Sequence, residues 1–203
     1  SYAMRYFADL SFRRDGSSRF RDPWGNFWSI GASWIISEEN FMKSLNWINN
    51  LKLRASYGEV GNDQSAAYYA YQALYLADTN AHQGAYIKSQ LANPELKWEK
   101  SSSIDIALEG RLFDRLNFSI DYFDKRSKDL LFDVYNPLSA GPTDLWGTTT
   151  VDPTGRSIIT KNIGTVSNKG VDLALDADII YNKNWRWNLG VNLTFLKNEI
   201  VKL

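Results

Sequence analysis

Cysteine is missing from all 203 residues, and histidine occurs once, at position 82. The first absence excludes disulfides, thiolate zinc sites and cysteine nucleophiles, and the second excludes a His-rich metal centre. Charge of one sign is missing too: Lys and Arg total 23, and Asp and Glu total 23. A nucleic-acid partner needs a clustered positive excess to neutralise phosphates, so none is implied. There is no run of about 18 apolar residues, which excludes a membrane-spanning helix. The first residues lack the continuous apolar core of a signal peptide, and the chain starts inside an alternating pattern, so a piece of a longer polypeptide is expected. None of these absences bears on a β-barrel, whose strands show lipid only every second residue.

What the chain does have is aromatic residues, with 8 Trp, 11 Tyr and 10 Phe, and they sit in alternating runs. In residues 185–195, Trp185, Trp187, Leu189, Val191, Leu193 and Phe195 alternate with Arg186, Asn188, Gly190, Asn192 and Thr194. Successive side chains of a strand point to opposite faces, so one face is dry and the other wet. At about 3.3 Å per residue the run covers roughly 33 Å. Tilted by about 40°, it spans roughly 25 Å, the height of the lipid-facing band of an outer-membrane barrel, whose edges carry aromatic girdles.

Six further runs share this pattern. Their dry faces take every second residue of Tyr2 to Phe12, Trp28 to Ile36, Leu51 to Tyr57, Leu116 to Tyr122 and Val171 to Tyr181, and in the remaining run Trp98, Ile104, Ile106 and Leu108. About seven antiparallel strands are expected. Residues 111–115 and 182–184 read as tight turns, whereas residues 61–97 and 125–168 read as long connections. The fold class is therefore all-β, a segment of an antiparallel transmembrane β-barrel with long extracellular loops and short periplasmic turns. Residues 37–50 read as a short helix capped by Ser37, with Glu38 and Glu39 in its first turn, on the periplasmic side. The parity places Trp28 and Trp98 at the outer interface, and Trp34, Tyr181 and Trp185 at the inner one. Seven strands cannot close a membrane barrel, so the missing strands must come from the parent chain.

The wet face carries Asp105, Glu109, Asp121, Asp172, Asp176 and Asp178 together with Arg5, Arg13, Lys52 and Arg54. Two carboxylates flanking one cleft would suit glycosidic cleavage; carboxylates spread over several strands suit a hydrated lumen wall instead. No catalytic residue is assigned. No metal is assigned either, because Asp172, Asp176 and Asp178 sit on a strand and lack the Gly-bearing loop of a calcium site. No cofactor is called for. Gly16 is expected at the turn of a hairpin connection, and no phosphate cradle is read there. In the long connections, Tyr68, Tyr69, Tyr71, Tyr75 and Tyr86, with Tyr135 and Trp146, are ligand-binding candidates that stack on sugar rings or fill the loops' own core. Tyr68, Tyr69, Tyr71 and Trp146 lead this group.

Several short stretches, taken in order, resemble the SusC/RagA family of TonB-dependent outer-membrane transporters. They are RDGSSRF at 14–20, LKLRASYGEVGN at 51–62, NPELKWE at 93–99, DLL at 129–131, NIG at 162–164 and NKGVDL at 168–173. The resemblance implies a barrel of about 22 strands plugged by an N-terminal domain. It implies import of oligosaccharides or peptides across the outer membrane. It also implies two partners, a SusD-like surface lipoprotein and a TonB–ExbB–ExbD complex that acts through the plug. Residues 1–203 are then part of the barrel domain, with the plug and the closing strands outside them. Two readings compete: a soluble β-sandwich carbohydrate-binding module using the loop tyrosines, and an enzyme on an all-β fold using the wet-face carboxylates.

Overall fold

The computed structural model describes residues 1–80, 83–137, 139 and 158–203. They form nine strands: β1 (Tyr6–Gly16), β2 (Trp24–Ile35), β3 (Ile48–Asn62), β4 (Leu74–Asn80), β5 (Gln83–Gln90), β6 (Glu99–Leu112), β7 (Leu116–Tyr135), β8 (Ile158–Tyr181) and β9 (Arg186–Lys202). Seven pair side by side as one antiparallel sheet, β1-β2-β3-β6-β7-β8-β9, while β4 and β5 pair as a separate hairpin. The large sheet is an open meander, with β1 and β9 at its edges.

Register carries the alternation across the whole sheet. Tyr6 faces Trp34, Trp34 faces Leu53, Leu53 faces Leu108, Leu108 faces Ile120, Ile120 faces Leu173 and Leu173 faces Leu193. The dry face is therefore continuous from edge to edge, and among the described residues no second layer covers it. Leu10 is 75% exposed and Phe195 62%. A soluble sandwich would bury these side chains; a single lipid-facing layer leaves them open.

The dry band does not run square to the strands. It covers Tyr6 to Phe12 in β1 and Trp187 to Phe195 in β9. Followed through the register, its centre moves by about five residues, roughly 16 Å, while the sheet advances six strand spacings, roughly 29 Å. The strands thus lean by roughly 30° to the band, close to the tilt of about 35–45° that a membrane barrel needs.

Connections differ between the two ends. At one end lie the short turns at residues 113–115 and 182–185, with the intermediate link at 36–47. At the other lie residues 17–23 and 63–98, together with the end of β7 at Tyr135 and the start of β8 at Ile158. Residues 17–23 and 63–98, with Phe27 of β2, form the buried apolar cluster of Phe20, Phe27, Ala66, Ala70, Leu96 and Trp98, against which Tyr71 and Leu131 pack.

Several sequence expectations need correction. Tyr2 and Met4 are outside β1: positive φ at Ala3 and Met4 reverses the chain, so Tyr2 pairs back onto Tyr6. Gly16 ends β1 opposite Trp24 instead of occupying the turn. β7 and β8 extend far into the expected loop, pairing out to Tyr135 and Ile158; the polar run at 124–129 and the register slips between Ser127 and Leu131 break the alternation there. The long connection at 63–98 holds the unforeseen hairpin β4–β5. Ser37 lies inside a 3-10 turn, Ile36–Glu38, that has no side-chain cap. Trp98 is at the expected end, but it is only 8% exposed and donates its indole N–H to the Pro23 carbonyl at 3.3 Å. A bulge between Asp178 and Ile180 shifts the phase of β8, so Ile180 faces Trp187 on the dry side and Tyr181 faces Arg186 on the wet side.

Candidate functional site

The functional surfaces are the wet wall and the rim of long connections at its end. On the wall, Arg54 reaches across three strands. Its guanidinium lies 3.1 Å from Glu109 of β6 and 3.1 Å from Asp121 of β7. Ser119 donates to Asp121 at 2.5 Å, and Ser103 to Asp105 at 2.7 Å. Asp172 stands directly opposite Asp121, and one of its carboxylate oxygens is buried without a hydrogen-bond partner. Asn188 donates to Asp176 at 2.9 Å, and Arg186 pairs with Asp178 at 3.4 Å. The carboxylates weighed for glycosidic cleavage are thus spread along one wall, most of them tied to cations, hydroxyls or an amide, and do not face each other across a cleft. Among the described residues no group of three or more metal-ligating side chains converges.

Of the wall cations, Lys52 faces Glu109 in register, whereas Arg5 and Arg13 are elsewhere engaged. Arg13 pairs with Asp15 at 2.7 Å. Arg5 belongs to the short-turn end, 3.2 Å from Glu39. There the Tyr6 hydroxyl donates to Glu39 at 2.6 Å and the Trp34 indole N–H at 3.2 Å, and the Tyr6 and Trp34 rings stack. These donors, the Tyr6 hydroxyl foremost, then Trp34 and Arg5, hold the Glu39 carboxyl below the usual carboxylate range. The neighbouring turns are laced together: Asn49 exchanges hydrogen bonds of 2.6 and 2.8 Å with Asp114, and Trp47 stacks on Phe113.

The rim is where the scattered motifs meet. Arg19, from the first motif, donates to the carbonyls of Asp63, Gln64 and Ala66 at 3.1, 3.2 and 2.6 Å, and Ser17 donates to Asp63 at 2.8 Å. Glu99, buried at the base of β6, accepts from Asn62 and Ser65 on one oxygen, each at 2.7 Å, and from the Leu131 backbone N–H on the other at 2.7 Å. That third bond exists because Asp129 adopts φ 56° and the register of β7 slips at this point. Asn162 closes the circle, accepting from the Lys97 N–H at 3.0 Å and donating to the carbonyls of Lys97 and Asp129 at 2.8 and 2.7 Å. The ring of Phe27 lies over Gly61, where any side chain would collide with it. Five of the six motifs are therefore the parts of one polar and apolar clamp. Glu99, Asn62, Arg19 and Asn162 were not singled out by type or spacing; their only signal was membership of those motifs.

The loop aromatics divide. Tyr71 packs on the buried cluster. Tyr68 is 71% exposed, with the Arg19 guanidinium 4.6 Å from its ring centre, and Tyr69, Tyr75, Tyr86 and Tyr135 are also exposed. Trp146 lies outside the described residues. The rim thus carries exposed aromatic rings at the end of a wall of hydrogen-bonding groups.

Comparison with known proteins agrees with this geometry. The sequence profile of the TonB dependent receptor-like β-barrel family matches residues 2–202. The chain is 39% identical over its whole length to TonB-dependent receptor P39 of Formosa agariphila, covering 18% of it. It is 33% identical over its whole length to TonB-dependent receptor SusC of Bacteroides thetaiotaomicron, covering 20% of it. The chain thus spans about a fifth of the length of these relatives. Among solved structures, the RagAB peptide importer in its closed-closed state overlays 98% of the chain and 21% of its own, with a TM-score of 0.80 and 30% identity. The siderophore receptor PirA from Pseudomonas aeruginosa overlays the whole chain and 33% of its own, with a TM-score of 0.59 and 19% identity, a likeness of fold. Motif clamp, tilted dry band and end-to-end similarity converge: the chain belongs to the TonB-dependent receptor β-barrel family of the outer membrane.

Proposed function

We propose that this chain is a barrel segment of a SusC/RagA-type importer of oligomeric nutrients, glycans or peptides. It works with a SusD-like surface lipoprotein, and a TonB–ExbB–ExbD complex drives it through a plug carried elsewhere in the same polypeptide. The observation that carries this reading is the overlay on the RagAB importer, far tighter than that on the siderophore receptor. The long-connection end faces outward, and the strands missing from the open sheet are supplied by the same parent chain. Ligand is captured at the rim by stacking on Tyr68, Tyr69 and their exposed neighbours. It then passes along the wet wall, where short-range pairs such as Arg54 with Glu109 and Asp121 leave no single deep trap.

Two experiments in the full-length parent test this. With Tyr68→Cys, a membrane-impermeant maleimide should label intact cells; with Lys183→Cys, in the turn at 182–185, it should label only permeabilised cells. The reverse pattern overturns the orientation. Panels of oligosaccharides and peptides offered to the receptor–lipoprotein complex should identify one binding class, and Tyr68→Ala with Tyr69→Ala should weaken it by about tenfold, at about 1–1.5 kcal/mol for lost aromatic stacking. Uptake that continues without TonB would sink the importer reading.

A further inference from the structure

The dry band ends abruptly on β7, β8 and β9. Its last row there is Tyr122, Val171 and Phe195, which are direct neighbours in the register. One step outward on the same face, Lys169 stands directly opposite Lys197. One strand over and four residues further along β7 than Asp124, the register partner of Lys169, Lys100 of β6 stands directly opposite Lys128. Arg126 lies between the two pairs. Against these five cations the described part of this face sets Asp124, directly opposite Lys169 and held by Arg126 at 2.9 Å, Glu199, 2.5 Å from Lys197 and 3.9 Å from Lys169, and on neighbouring β3 Glu59, which accepts from the Tyr57 hydroxyl at 2.7 Å. Lys100 and Lys128 are exposed, and among the described residues no ion pair joins either to an acidic group.

Two like-charge pairs in directly opposed positions are unfavourable in a bare sheet, because their side chains start only about 5 Å apart. Such pairs become favourable when an anion sits between them. The row's height says which anion. It lies immediately outside the aromatic edge of the lipid band, at the level where long cationic side chains reach the headgroup layer. On the wet face, by contrast, Arg54, Lys52 and Arg186 each meet a carboxylate on a neighbouring strand, and Arg13 meets Asp15 on its own.

We propose that the exterior of β6–β9, just outside the dry band, is a binding surface for the phosphate-bearing headgroup of an outer-leaflet lipid. This rests on the reading that the long-connection end faces outward. Lys169 and Lys197 clasp one phosphate, Arg126 and the Lys100–Lys128 pair engage the remaining headgroup charge, and the acyl chains continue down the dry face below Phe195. Arg126 supplies planar, two-pronged contact and the lysines act as point charges.

The test uses the full-length receptor in mild detergent, titrated with diphosphoryl lipid A, with the same lipid after removal of its phosphates, and with inorganic phosphate. The phosphorylated lipid should bind at least tenfold more tightly than the dephosphorylated one. Each cation removed should weaken binding about fivefold, so Lys169→Gln with Lys197→Gln should lose about twentyfold, and Lys100→Gln with Lys128→Gln a similar amount. Lys183→Gln at the opposite end should change nothing. Retained heat-modifiability on gels shows that each variant is still a folded barrel. Unchanged binding in both double variants overturns the proposal, as does equal loss for the dephosphorylated lipid. Displacement by millimolar inorganic phosphate also overturns it, because the surface then reads a free anion. Loss of the lipoprotein partner in these variants with lipid binding intact would assign the face to protein. Failure of the orientation is seen separately: Lys197→Cys that labels only in permeabilised cells defeats the outward reading whatever the lipid titrations give.

Discussion

The dry band and the rim clamp are built from the same sheet, yet they are held in opposite ways. The band has almost no buried side chains of its own and depends on a surrounding apolar solvent; its residues are interchangeable so long as they are apolar and in phase. The rim is buried, compact and polar at its heart, and each of its members has a named partner tens of residues away. Glu99 reaches Asn62 and Leu131, and Asn162 reaches Lys97 and Asp129. The first region specifies a solvent, whereas the second specifies a shape.

The sharpest way to break this contrast is a charge placed on alternate faces of one strand. Val191 faces Leu175 on the dry side at mid-band, and Asn192 faces Ala174 on the wet side. In the full-length receptor, Val191→Arg should destabilise the barrel by about 2–4 kcal/mol, the midplane cost of an arginine in lipid. Asn192→Arg should stay within about 0.5 kcal/mol. Urea unfolding in lipid vesicles measures both, and equal effects would mean that the faces are misassigned.

A smaller effect sharpens the other half. Glu99→Gln keeps the volume of a buried side chain but replaces an acceptor oxygen with a donor, leaving one of its three donors without a partner. The loss should be about 2 kcal/mol of local stability. It should appear as faster proteolysis of residues 63–98, while the barrel's own unfolding midpoint stays put. A shift in that midpoint, with the loops still protected, would show that rim and band are one cooperative unit.

This contrast also explains what could be read from the sequence. The seven strands of the main sheet and their dry faces were legible because alternation is a local signal imposed by lipid on every second residue. The signal ceases where lipid ceases, which is why the outer halves of β7 and β8 read as loop and why Trp98 read as a girdle residue when it is a core residue of the rim. The β4–β5 hairpin has no solvent to enforce its period. The phase slip after Asp178 is a single inserted residue, invisible without the partner strand. The rim site was legible only as a list of short stretches: nothing local says that the carboxyl of Glu99 and the amide of Leu131, or the side chain of Asn162 and the backbone of Lys97, must meet.

The smallest expected effect lies where the band meets the short-turn end. Glu39 is held there by Tyr6, Trp34 and Arg5, and its carboxyl ionises below the ordinary range. A carboxyl whose folded pKa is depressed adds stability that is fully present above its unfolded value, near 4.3, and is lost as pH falls through the lower folded value. The anchoring of β1 and β2 to the 3-10 turn should therefore be intact at neutral pH and weaken only on acidification below about pH 4. Tyr6→Phe removes the foremost donor while keeping the ring that stacks on Trp34. It should raise the Glu39 titration toward its ordinary position and slightly loosen this end at neutral pH, with the difference from the parent shrinking away as pH falls through the carboxylate range. Hydrogen exchange at Arg5 and Ile35, whose backbones bond each other at 2.8 Å, followed between pH 3 and 6 (roughly the range around an ordinary carboxylate), reads this directly. An identical pH profile in the variant would mean that the tyrosine ring alone fastens this end, as an extension of the dry band and without the carboxylate.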